Sequence, residues 1–249
     1  MVPMTSGKFD RIFPIVLIII LFAGIIHAEQ PGGPVVYPDK GDHPGSRWYP
    51  DIMISDLIHD PNVIFIPLPA VQQMTDWTCG PASMVTLLRY YGYQGDERAI
   101  AEEIGSRPIY GSNVSAISGW FRARNWTVQD SLTGPDGDLI MLRENLMRGI
   151  PTMVGWADWG GHWQLVVGYD TIGTDQIDDD VIIFADSLDI TDHDQDGYYV
   201  FSAERFYDMW VVPQFFLEDQ SVRPWIVALP PGMNPSGPEF AYLNESLSV

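Results

Sequence analysis

A chain of 249 residues with 33 Asp+Glu against 13 Lys+Arg carries a formal net charge of −20. Such a surface repels nucleic acid and anionic lipid and suits cationic peptides or metal ions. The only lysines, Lys8 and Lys40, precede the globular part, which excludes a phosphate-binding Gly-Lys-Ser/Thr loop, an ATP partner and a Schiff-base lysine there.

In chain order, Lys8 and Arg11 come before an uncharged apolar run from Ile12 to Ile26. Ala28 then precedes the polar stretch that opens at Glu29. A basic flank, a short apolar run and a small residue make a secretory signal over residues 1–28. The run is shorter than the about 20 residues a spanning helix needs. An N-terminal membrane anchor is the alternative, and membrane contact is expected only through this segment if it stays uncleaved. Either way the expected location is secreted or cell-surface. Residues 29–60 read as a linker rich in Pro and Gly, residues 61–230 as the globular domain, and residues 231–249 as a tail.

Within the domain, Val63 to Pro67 is a short strand. Met84, Leu87, Leu88 and Tyr91 follow the i, i+3, i+4, i+7 spacing of a helix over 81–91, with Pro81 in its first turn and Gly92 as its stop. Further helices are expected over 96–104, 113–124 and 138–148. After Pro151 the pattern turns to strands at 152–156, 162–169, 181–185 and 198–201. Ser202 caps a short helix to Met209, and 222–229 is a last strand. Helices first and an antiparallel sheet after them predict an α+β fold.

The single cysteine, Cys79, cannot form an intrachain disulfide. It stands at the predicted helix N-terminus, where backbone N–H groups and the helix dipole stabilise a thiolate. An inert buried thiol is the competing reading. A cysteine nucleophile needs a base, an orienter for that base and donors for an oxyanion. Of the histidines, His27 belongs to the signal, His43 and His59 to the weakly patterned N-terminal part, and His193 to an acidic loop. His162 opens an apolar strand after Gly160-Gly161, which would leave space around its ring. Asp186, closing the strand beside it, is the expected orienter, with Asp189 as rival. Gln73 is the candidate side-chain oxyanion donor, with Gln72 as rival. Trp77, Trp156, Trp159 and Trp163 gather around these positions. Trp77, Trp159 and Trp163 are candidate walls of a substrate groove.

The run Asp192-His-Asp194-Gln-Asp196-Gly197 is the first half of a calcium loop. Ala203 holds the closing position of that loop, so a full EF-hand is not expected. Asp189 or Glu204 could complete a variant site of structural calcium; a solvated acidic turn is the alternative. No other cofactor is expected.

The stretch Gln73 to Ser83, containing Cys79-Gly80-Pro81-Ala82-Ser83, resembles the bacteriocin-processing cysteine peptidases, which cut double-glycine leader peptides. Leu87, Tyr90 and Gly92 downstream, Gly161-His162-Trp163 and Ala185-Asp186 are similar to that family too, over residues 63–215. The resemblance implies a papain-like fold, with the nucleophile at a helix N-terminus packed on an antiparallel sheet. It also implies peptide-bond hydrolysis: Cys79 attacks, His162 serves as base and then acid, Asp186 holds its tautomer and Gln73 serves the oxyanion. The partner would be a peptide or protein substrate. The leader-processing members are fused to a transporter and an ATPase, so this chain reads as a stand-alone exported relative for which a double-glycine substrate is not implied. Ser187 stands where the family often has proline. A non-catalytic peptide-binding module and an acyl transferase or isopeptidase are the other readings of the same residues.

Overall fold

The computed structural model describes residue 54 and residues 60–190, 195–211 and 223–233. The signal segment, nearly all of the linker, Asp192 and Asp194, and all but the start of the tail lie outside the described residues. Strand β1 (Val63–Phe65) is followed by helices α1 (Cys79–Tyr90), α2 (Glu97–Glu103) and α3 (Val114–Arg122). Then come β2 (Thr127–Asp130), α4 (Leu139–Met147), β3 (Thr152–Trp156) and β4 (His162–Asp170). Strands β5 (Val181–Ala185) and β6 (Tyr198–Ser202), helix α5 (Ala203–Met209) and strand β7 (Trp225–Leu229) complete the described order. The α+β expectation is met.

The caps explain where the helices begin. Asp96, Asn113 and Asp138 each accept a hydrogen bond from a backbone N–H in the first turn, from Ala99, Ala116 and Met141 respectively. Such a side chain satisfies one of the donors a helix start leaves orphaned. Helix α1 differs. It starts at Cys79 rather than Pro81, and the side chain of its N-cap, Thr78, does not cap it. Pro81 still lies in the first turn, where a missing N–H removes no intrahelical bond. Every residue from Cys79 to Leu88 is buried, and the two hydroxyls in that stretch, of Ser83 and Thr86, donate to the Trp163 and Ala82 carbonyls.

The described strands form one antiparallel sheet in the order β2-β7-β3-β4-β5-β6, with β1 also pairing with β4. Strand β4 is buried along its whole length. Successive side chains point to opposite faces, so both faces of this strand are covered. Helices α1 and α4 pack on it.

Strand β2 was not anticipated. It is short, half polar and pairs with β7 at the sheet edge. Asn125, at φ 62, turns the chain from α3 into it. Its last residue, Asp130, is buried and accepts from Arg122, from the Thr133 hydroxyl and from the backbone N–H groups of Leu132 and Thr133. Burial pushes this carboxyl up, and Ser118, Arg122 and Thr133 beside it pull it below the usual aspartate value.

Replacing Asp130 by Ala should cost about 2–3 kcal/mol, because several donors lose a charged acceptor while the half-exposed Arg122 can turn to water. A group with a depressed folded pKa stabilises above its unfolded value of about 3.9 and loses that contribution as pH falls through the folded one. Urea titrations should therefore show the gap between wild type and Asp130→Ala closing in acid.

Candidate active site

Cys79 is the first residue of α1, His162 the first of β4, and Asp186 the first after β5. The start of α1 is tied to the start of β4 by the Ser83 hydroxyl, which donates to the Trp163 carbonyl at 3.0 Å. Gly80 helps to seat this end of the helix. A Cβ there would come within 2.8 Å of the Ser112 hydroxyl oxygen, so a larger residue would force Ser112 to shift from the helix. The pair Gly160-Gly161 answers a backbone need as well as leaving space, since a Cβ at Gly160 would meet nothing within 4 Å. Both take positive φ, 82° and 131°, and thereby turn the chain from a short 3-10 turn (Asp158–Gly160) into β4.

Nε2 of His162 lies 2.7 Å from Oδ1 of Asp186, and both side chains are buried. With Nε2 engaged by the carboxylate, Nδ1 is the nitrogen left for the Cys79 sulfur. Burial pushes the Cys79 thiol up. The hydrogen bond and charge of His162, with the backbone N–H groups of Trp163 and Gly80, more than offset this and hold it below the usual thiol value. Burial pushes His162 down, but Asp186 and Cys79 on its two sides raise it well above the ordinary imidazole range. Burial likewise pushes Asp186 up, and His162, the Leu188 N–H and the Gln164 amide bring it below the usual carboxylate value. The three shifts describe one thing: a thiolate and a carboxylate on two sides of an imidazolium, each anion and the cation favouring the other's charged form.

Gln73 precedes α1 in a loop fastened to the same region. Its N–H donates to the Ser187 carbonyl at 2.9 Å, its Oε1 accepts from the Ser187 hydroxyl at 2.8 Å, and its Nε2 donates to the Thr75 carbonyl at 2.7 Å. Carbonyls only accept, so the Thr75 contact fixes which end of the amide is nitrogen. That nitrogen carries a second N–H beyond the one given to Thr75. Gln72 is exposed. Ser187, the departure from proline, is thus a residue whose role the sequence did not reveal: it orients Gln73. A loop residue that bonds across so long a sequence separation leaves no local signal.

The imidazole Nε2 meets Asp186 rather than Asp189, and the Oδ2 of Asp189 accepts from the Gly197 N–H. The Gly197 carbonyl in turn accepts from the N–H groups of both Ala70 and Asp186, joining the loop that carries Gln73 to the strand end that carries Asp186. Asp196 accepts from the Tyr198 N–H. With Asp192 and Asp194 outside the description, no group of metal-ligating side chains occurs among the described residues.

The tryptophans divide. Trp163 is a core residue rather than an open groove wall: it is buried and its indole N–H donates to the Ser112 carbonyl. Trp156 is also core. Trp77, two residues before Cys79 in the chain, is half-buried, and Trp159 lies in the 3-10 turn before His162.

A family model described as the Peptidase_C39 like family matches residues 65–213. Among solved structures, the chain is similar to the peptidase domain of Streptococcus ComA, a bi-functional ABC transporter involved in a quorum-sensing pathway. The identity is 17% and the TM-score 0.45, covering 66% of this chain and 98% of that one. It is also similar to a double glycine motif protease from an AMS/PCAT transporter, solved in complex with the leader peptide. There the identity is 15% and the TM-score 0.40, covering 65% of this chain and 91% of that one. No curated protein matches the chain.

Alkylation by iodoacetamide, which needs the thiolate, reads the coupling directly. In the wild type its rate should rise with pH through a midpoint below about 8.5, the free-cysteine value. In His162→Ala the lowering partner is gone and burial remains, so the midpoint should move above it. An unmoved midpoint would disprove the pairing.

Proposed function

The chain belongs to the Peptidase_C39 like family, and on that premise we propose that it is a cysteine peptidase in which Cys79, His162 and Asp186 form the catalytic triad. The observation that carries this reading is the buried 2.7 Å contact between His162 and Asp186, combined with a thiol held below and an imidazole held above their ordinary values.

In the proposed reaction the Cys79 thiolate attacks the carbonyl carbon of a peptide bond, and the carbonyl electron pair moves onto oxygen. The N–H of Cys79 and the free N–H of Gln73 Nε2 receive that oxyanion. His162 gives the proton on Nδ1 to the amine as the C–N bond breaks, leaving an acyl thioester on Cys79. Neutral His162 then takes a proton from water as its oxygen attacks the thioester. Collapse of the second oxyanion expels the thiolate and releases the acid. Asp186 keeps the Nε2 proton of His162 in place throughout, fixing the tautomer and balancing the imidazolium. No cofactor enters this chemistry. Trp77 and Trp159, flanking Cys79 and His162 in sequence, are the proposed contacts for a peptide or protein substrate. The signal-like segment over residues 1–28 supports a site of action outside the cytoplasm.

Peptide hydrolysis by the full chain should vanish in Cys79→Ala. It should fall about 10²–10³-fold in kcat in Gln73→Ala, with KM little changed, as for loss of one oxyanion donor. Transfer of the acyl group to an added amine in preference to water would make the chain an acyl transferase or isopeptidase. Ordinary thiol reactivity with retained peptide affinity would make it a binding module.

A further inference from the structure

Behind the His162–Asp186 contact lies a buried amide that the proposed reaction does not use. Gln164 is completely buried on β4, and so is the indole of Trp156 that faces it. Trp156 Nε1 and Gln164 Oε1 are 2.6 Å apart. An indole nitrogen can only donate, so the oxygen of the amide must face Trp156 and its nitrogen must face away.

The sheet register says what lies on that other side. Between β4 and β5, Val166 is opposite Phe184 and Leu165 is opposite Ala185. One further step sets Gln164 against Asp186 on the face that also holds His162, since alternate residues of a strand share a face. Cross-strand partners on one face stand close enough for their side chains to meet. Asp186 Oδ1 is already engaged by His162 Nε2 and the Leu188 N–H. Its Oδ2 and the Gln164 Nε2 are both buried and make no hydrogen bond within ordinary limits among the described residues, yet the amide stands close enough to help hold the Asp186 carboxyl down. A buried polar atom left unsatisfied is costly. Pairing these two satisfies both.

We propose that Gln164 is the positioning residue of Asp186: Trp156 locks its amide, and the amide nitrogen donates to Oδ2 so that Oδ1 is presented to His162. The proposal rests on the triad reading above. Its sequence signature is a polar residue within an otherwise apolar strand, two places after the histidine. Gln164 touches neither Cys79 nor, on this reading, the substrate. Its effect reaches the sulfur through the carboxylate and the ring. A donor to the charged form of a carboxylate keeps its pKa down, which separates this role from filling space.

The test uses the full chain with ¹³C-labelled aspartate. The Asp186 carboxyl resonance is followed with pH in the wild type and in Gln164→Met, which keeps the length of the side chain and removes the donor. The midpoint should rise by about one pH unit in the variant, the equivalent of one hydrogen bond to a charged group. An unchanged midpoint in a folded Gln164→Met protein overturns the proposal. If that variant does not fold, Trp156→Phe, which removes the indole N–H and keeps an aromatic ring of smaller size in the core, should shift the midpoint in the same direction. In the wild type, the Gln164 side-chain amide protons should exchange with solvent at least 10²-fold more slowly than those of an exposed glutamine. Free exchange also overturns the proposal and needs no variant. The iodoacetamide profile of the wild type separates the two levels. A thiol without a lowered midpoint sinks the peptidase reading, whereas a lowered thiol with an unmoved Asp186 sinks only the role of Gln164.

Discussion

The candidate site depends on one constraint: the N-terminal turn of α1 is buried against the first residues of β4. That contact sets a thiol from the helix beside an imidazole from the strand. It is held by apolar burial on every side of α1 and by the Ser83 bond to the Trp163 carbonyl. Gly80 permits the loop at Ser112 to close over the same turn, and the Trp163 indole reaches the Ser112 carbonyl from the other side. Trp163 thereby works as a fastener of the site.

Around this contact the charges support one another in a line. Asp186 steadies His162, and His162 steadies the Cys79 thiolate, each against the cost of burial. Burial alone would neutralise all three. The cost is met because each charged form has an opposite charge or a donor within reach, and because the backbone N–H groups of Trp163 and Gly80 face the sulfur. Taking a partner away leaves a buried charge uncompensated, which is more damaging than the bare strength of any one contact.

The acidic loop after β5 has a structural part in this arrangement. Its Gly197 lies at φ 85°, and a Cβ there would come within 2.8 Å of the Ala70 nitrogen. The carbonyl of this glycine joins Ala70 and Asp186, while Asp189 holds its N–H. The glycine that a calcium loop would use for its sharp turn is therefore the knot between the Gln73 loop and the end of β5. This places Ser187 where its hydroxyl can orient Gln73.

Much of this was legible in the residues alone. Helix periodicity, the helix starts at Asp96, Asn113 and Asp138, the cap at Ser202, and the helices-then-strands order are written locally, so the α+β fold could be read. The candidate nucleophile followed from there being one cysteine, and the candidate base, His162, from the weakness of its rivals. What only the tertiary structure decided was pairing across the sheet and between loops: Asp186 rather than Asp189 beside the imidazole, Gln73 rather than Gln72 turned inward, Trp163 in the core, β2 at the edge, and Gln164 opposite Asp186. The physical reason is that a strand shows which of its residues share a face, but not the register in which its neighbour meets it. That register is set by the packing of the whole sheet, and here it decides which side chains meet at the site.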